Sequence, residues 1–223
     1  MRNAVLAVIA GTALAASASA QTLSVGQSGA GWLGYMNVFD FGGFYAFGSP
    51  WGVPDLNTSF NDGARTLTLS PNTIGDPNPY WYIGGGGPGA PGNKIMEANL
   101  YQESTGTYVG ASLNFSGIVL SNSFTSAHRT FAFIKDFAPD YSSNVTQMVE
   151  LTGPGAFSVS LTTINDPARH VQFGFQTIDH RGTPPALLGA PSGGNCEVAA
   201  EGLFARQTQN RIGHRDRVAR RND

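Results

Sequence analysis

Three adjacent aromatic residues, Tyr80-Trp81-Tyr82, carry the clearest ligand chemistry in this sequence. Aromatic faces stack on the apolar faces of sugar rings, and the phenol and indole tips find hydrogen bonds at a wet surface. On a strand, alternation would set Trp81 opposite its two neighbours, so at least one of the three rings would face outward. The glycine-rich run Gly84 to Gly92 beside them leaves space, and is expected to form a mobile flap over a ligand. It is not a phosphate cradle, because Asn93-Lys94-Ile95 does not supply the Lys-Ser/Thr that should follow.

A second constellation is Asp136 and Asp140, which flank Phe137-Ala-Pro139. A hard cation such as calcium takes loop carboxylates and carbonyls, and Asp136, Asp140 and Ser142 could offer three oxygens to a structural calcium. Turn chemistry is the other reading, with Asp140 closing a loop over Tyr141 and Ser142.

Catalytic patterns are missing. The chain has no Gly-x-Ser-x-Gly and no His-Glu-x-x-His. Zinc sites cluster His and Cys, whereas His128 and His170 lie far apart in sequence. Glycoside hydrolysis needs two positioned carboxylates, and no spacing singles out a pair among Glu97, Glu103, Asp136, Asp140 and Glu150. The expectation is a protein without a catalytic centre.

The elements that must position these residues read as strands. Arg129 to Phe137 is the densest apolar stretch at a period of two. Phe131, Phe133, Lys135 and Phe137 share one face, and Thr130, Ala132, Ile134 and Asp136 the other, so the strand is expected to be buried on both sides, with Phe131, Phe133 and Ile134 covered. Weaker strands read near 32–39 and 43–48, and Ala64 to Ser70 alternates. Lys94 to Glu103, Ser112 to Leu120, Val145 to Leu151, Ala156 to Ile164 and Arg169 to Ile178 follow, separated by Gly, Pro, Asn and Asp turns. No segment carries a capped stripe of period 3.6. The spacing predicts an all-β fold, a two-sheet antiparallel β-sandwich with a jelly-roll-like course.

Composition sets the compartment and the partners. Met1 to Ala20 has a positive start, an apolar run and Ala18-Ser-Ala20, the pattern of a signal peptide, and the run is too short to span a bilayer. The mature chain is expected to be secreted or held at the cell surface, with no transmembrane segment. Cys196 is the only cysteine, so no intrachain disulfide can form. Between Gln21 and Ile178 five basic residues face ten acidic ones, a balance that excludes nucleic acid as a partner. From Asp179 the strand alternation stops and seven arginines appear, so residues 179–223 read as a low-order basic tail after a domain over 21–178.

The order Gly106-Thr-Tyr-Val-Gly-Ala-Ser-Leu-Asn-Phe115, Phe131-Ala-Phe-Ile134, Gly155-Ala-Phe-Ser-Val-Ser-Leu161 and Asp166-Pro-Ala-Arg-His-Val-Gln-Phe-Gly-Phe175 resembles galactose-binding-like jelly rolls of the carbohydrate-binding-module kind. The whole is also similar to secreted bacterial proteins that carry a C-terminal Pro-Glu-Pro sorting signal, which is missing here. The resemblance implies a non-catalytic module whose partner is a polysaccharide or a cell-surface glycan, often with a structural calcium. The alternative is a cell-surface or extracellular-matrix structural protein without a small ligand.

Overall fold

The computed structural model describes residues 20–72, 76–87, 90–179 and 194–201. Twelve strands follow one another along these residues: β1 Gln21–Ser24, β2 Leu33–Asp40, β3 Tyr45–Trp51, β4 Thr58–Asn61, β5 Thr66–Leu69, β6 Lys94–Thr105, β7 Ser112–Asn122, β8 His128–Phe137, β9 Asn144–Glu150, β10 Gly155–Thr162, β11 His170–Asp179 and β12 Cys196–Ala199. They form two sheets. The front sheet runs β3-β2-β6-β11-β8-β9, and every pairing in it is antiparallel. In the back sheet β10 pairs with one edge of β7, while β1 and β12 share its other edge end to end, and β5 and β4 complete the order. The β1–β7 pair is parallel. The fold is all-β and the two sheets pack as a sandwich.

Alternation decides which side chains meet between the sheets. Met36 and Val38 of β2, Met96, Ala98 and Leu100 of β6, Ala132 and Ile134 of β8, and Val171, Phe173 and Phe175 of β11 turn inward. They face Leu67 and Leu69, Leu113 and Phe115, Phe157, Val159 and Leu161, and Cys196 and Val198 of the back sheet. The centre is aromatic. Phe115 lies 5.6 Å from Phe157, 5.5 Å from Phe173 and 5.4 Å from Phe175, at tilted or edge-on angles that suit ring quadrupoles.

Two expectations change here. Cys196–Ala199 falls inside the stretch that reads as a tail, yet it is an interior strand hydrogen-bonded to β5 and β7, with Cys196, Val198 and Ala199 fully buried. The sandwich therefore does not end at residue 178. A four-residue strand with a register shift between Glu197 and Val198 leaves little alternation to read. On β8, Phe133 and Ile134 are fully buried, as expected, whereas Phe131 is half-buried beneath the Arg129 guanidinium, 4.8 Å from its ring centre. The signal-peptide reading falls on residues 1–19, outside the described residues, and on Ala20. Among the described residues no helix is long and apolar enough to cross a membrane.

Candidate functional site

The aromatic trio does not lie on a strand. Asp76-Pro-Asn-Pro79 turns the chain first, because Pro79 fixes φ and suits the first position of a helix. Asp76 Oδ1 accepts the Asn78 N–H at 2.9 Å, and Asn78 Oδ1 accepts the Tyr80 N–H at 3.0 Å. These Asp and Asn turns start a 3-10 helix over Pro79–Trp81.

A helical turn spreads the three side chains differently from a strand. Tyr80 is 42 % exposed, Trp81 is half-buried and Tyr82 is buried. Tyr82 therefore supports the loop from below, and its hydroxyl donates to the Asp76 carbonyl at 2.8 Å. The strand-based expectation of Trp81 opposite both tyrosines is corrected by this turn.

Trp81 and Tyr80 meet edge to face with centroids 4.9 Å apart, and Phe47 of β3 packs on both, at 6.1 and 6.4 Å. Trp81 Nε1 donates to Asp76 Oδ2 at 3.0 Å, which fixes the indole plane. The Lys94 ammonium sits 4.3 Å from the centre of the Tyr80 ring and 3.0 Å from Asp40 Oδ1. The cation braces one face of Tyr80. Nearby, Phe44 and Tyr45 of the β2–β3 hairpin stand largely in solvent.

The glycine run is hydrogen-bonded rather than free at its neck. Ile83 N–H donates to the Pro91 carbonyl at 2.8 Å, Asn93 N–H to the Trp81 carbonyl at 3.0 Å, and Tyr82 bridges Gly92. Gly84, Gly85 and Gly87 all take positive φ, which explains why this lobe is written in glycine. Phe47, Asp76 and Lys94 were not singled out by the sequence reading. The Asp-Pro-Asn-Pro pattern was the one signal that could have placed Asp76.

The two aspartates suited to calcium each have other partners in the structure. Asp136 is buried, and its Oδ1 accepts from Arg169 Nε at 2.8 Å while Oδ2 accepts from the Ile164 N–H at 2.7 Å. Arg169 Nη2 also donates to the Asp136 carbonyl at 2.7 Å. A guanidinium holds the place a cation would need. Asp140 closes its own turn, accepting from the Ser142 N–H at 3.0 Å and the Ser142 hydroxyl at 2.6 Å. Those hydrogen bonds, the hydroxyl first, hold its carboxyl below the usual range. Among the described residues no three His, Cys, Asp or Glu side chains gather to hold a metal ion. No family model, no curated protein and no solved structure matches this chain, so the reading of its function stands on geometry alone.

Proposed function

We propose that the chain is a secreted, non-catalytic carbohydrate-binding-like β-sandwich module that takes polysaccharide or cell-surface glycan on the Tyr80–Trp81 step. One observation carries this reading. Tyr80 is presented to solvent with one face braced by Lys94, and Trp81 beside it is fixed by Asp76 and Phe47. A rigid, amphipathic ring loses little entropy when a sugar stacks on it. Lys94, Asp40 and Asp76 supply polar groups around the step without a net basic charge, which suits a neutral glycan better than a polyanion.

The reading is tested by pull-down on insoluble polysaccharides and by a glycan array with the secreted chain. Tyr80→Ala is expected to abolish retention and to shift the unfolding midpoint little, because the ring is exposed. Trp81→Ala is expected to abolish it as well, with a stability loss below the ~3–5 kcal/mol of a fully buried Trp. Failure of the wild type to bind any glycan would overturn the reading in favour of a structural surface protein.

A further inference from the structure

The free edges of the two sheets are not alike. An edge strand offers backbone N–H and C=O groups to any second strand, and Lys, Pro, bulges and short length are the usual guards. On the front sheet β3 carries Pro50, and its pairing with β2 shifts register between Val38 and Phe39. On the back sheet β1 and β4 hold four residues each. The last strand of the front sheet, β9, has none of these guards. Asn144–Glu150 contains no Lys, Arg or Pro, and it pairs with β8 over seven residues without a break in register.

The neighbouring edge strand of the back sheet, β10, is also regular, but its side chains are spent. Phe157, Val159 and Leu161 are buried in the core. Its exposed positions include Ser158, Ser160 and Thr162, and Asn114 Nδ2 bridges the two serines at 2.7 and 2.9 Å. By contrast β9 leaves apolar surface on both of its faces. Val145, opposite Asp136, lies on the side of the back sheet and is 41 % exposed, and Met148, opposite Phe133, lies on the outer side and is 40 % exposed.

The ladder fixes which backbone groups of β9 point outward. The Leu151 N–H donates to the Thr130 carbonyl at 2.9 Å. Continuing that alternation, Val149, Gln147 and Val145 bond to β8, so Asn144, Thr146, Met148 and Glu150 turn their backbone groups away from it. Water serves those groups in a single chain, so they permit a further strand without demanding one. What selects the strand is self-complementarity. In an antiparallel pair about a two-fold axis at Gln147, Asn144 meets the partner's Glu150 and Thr146 meets the partner's Met148, so all four outward positions form hydrogen-bonded pairs. Val145 then meets the partner's Val149, apolar against apolar. Glu150, the one charge on the strand, faces an amide, is already paired with Arg129, and stays at the far end from the partner's Glu150.

We propose that β9 is a homodimer interface: two copies join β9 to β9 antiparallel, centred on Gln147, and carry the front sheet across a two-fold axis. An isologous contact of this kind closes on itself, so it makes a dimer and not a filament. One pair of seven-residue strands is a small interface, so the dimer is weak, with a Kd of roughly 10–100 µM. The Tyr80–Trp81 step rests on Phe47 of β3, at the opposite edge of the front sheet, so the pairing leaves it open in both copies. The dimer does not depend on the carbohydrate reading.

The test is sedimentation velocity of the secreted chain from about 1 µM to about 1 mM, across which the wild type is expected to pass from monomer to dimer. Met148→Lys should weaken the dimer at least about tenfold, because it sets two like charges diagonally across the axis. Its melting temperature should stay near that of the wild type, since the side chain is exposed. Gln147→Cys tests the register. A non-hydrogen-bonded antiparallel pair brings its Cα atoms to ~4.5 Å, within disulfide reach. Mild oxidation is expected to cross-link Gln147→Cys into a covalent dimer and Val145→Cys far less, because Val145 faces the partner's Val149. Cys196 is buried and does not compete.

A wild type that stays monomeric at about 1 mM overturns the proposal. So does a dimer that Met148→Lys leaves intact, and its loss in Phe44→Ser would move the contact to the exposed aromatic hairpin. A dimer in which Gln147→Cys fails to cross-link, or cross-links no faster than Val145→Cys, rules out the pairing about Gln147. The cross-link decides the matter if Met148→Lys fails to fold.

Discussion

Two neighbouring residues of β8 send opposite charges to opposite sides of the front sheet. Asp136 faces inward and its carboxylate is saturated: Arg169 Nε and the Ile164 N–H each hold one oxygen. Lys135 faces outward and reaches one acceptor, Asn99 Oδ1. Burial holds the Lys135 amine below the usual lysine range, an effect that the nearby Glu97 carboxylate partly offsets. Burying a charge costs several kcal/mol unless it is paired and hydrogen-bonded, so complete pairing marks a charge retained for structure. The Lys135 ammonium instead rests over the Phe133 ring and on the Asn99 amide oxygen. The difference separates a closed ion-pair clasp from a partly solvated contact on adjacent residues of one strand.

The clasp should break hardest. Asp136→Ala leaves the Arg169 guanidinium without its carboxylate and frees the Ile164 N–H, and is expected to cost ~3–5 kcal/mol. Urea denaturation at neutral pH measures it. A loss below about 1 kcal/mol would mean that water replaces the carboxylate freely and that the pair is not a structural clasp. Phe133→Ala belongs beside it. That ring is fully buried although it lies outside the core between the sheets, so a loss of ~3–5 kcal/mol is expected. A loss of only about 1 kcal/mol would show that the outer face is wetter than its burial implies.

Titration probes the same contrast more gently. The Cys196 thiol, buried in the back sheet, is pushed up by desolvation from 9.0 to about 12. The Tyr101 phenol on the outer face is pushed from 10.0 to about 12, first by burial and then by the Glu103 charge. Both values are raised in the folded state. Their stability is present in full below the unfolded values and is lost as pH climbs towards about 12, because the unfolded chain releases the proton first. Cys196 alone should cost on the order of 1 kcal/mol by pH 10. Melting curves from pH 8 to 10.5 are expected to fall, and Cys196→Ala should flatten that slope even if it lowers the neutral-pH value. An unchanged slope in Cys196→Ala would show that the thiol ionises freely in the folded protein.

The strands were legible in the sequence where alternation was long. Phe131 to Phe137 announces two-sided burial because both parities carry apolar residues, and β6 to β11 fall close to the expected ranges. Three short strands were not legible. Gln21–Ser24, Thr58–Asn61 and Cys196–Ala199 hold four residues each, too few for a period of two to stand out from chance. The Tyr80–Tyr82 geometry was hidden for another reason. Asx turns at Asp76 and Asn78 override the strand propensity of three aromatics, and only their hydrogen bonds reveal it. The outer-face contacts among Asn99, Lys135 and Gln176 were not legible, because these residues lie far apart in sequence. Their meaning comes from register across β6, β11 and β8, which no single strand encodes.

The smallest effect lies at the rim of that outer face. Arg129 grips Glu150 with two parallel bonds, Nε to Oε1 at 2.8 Å and Nη2 to Oε2, across the β8–β9 pair. The Glu150 hydrogen bond raises the Arg129 pKa against desolvation, so this pair resembles the clasp in form. It differs in setting, since the Arg129 side chain is 42 % exposed and that of Glu150 32 %. Water and salt screen both partners, and an exposed pair contributes ~0–1 kcal/mol. Glu150→Gln should therefore lower stability by less than about 1 kcal/mol, and that difference should shrink in ~0.5 M salt. The Asp136→Ala loss should keep most of its size in the same salt, because its partners are sequestered. If the two losses prove equal, or if salt weakens them alike, burial does not distinguish the charges of this sheet and the contrast between Asp136 and Lys135 loses its physical basis.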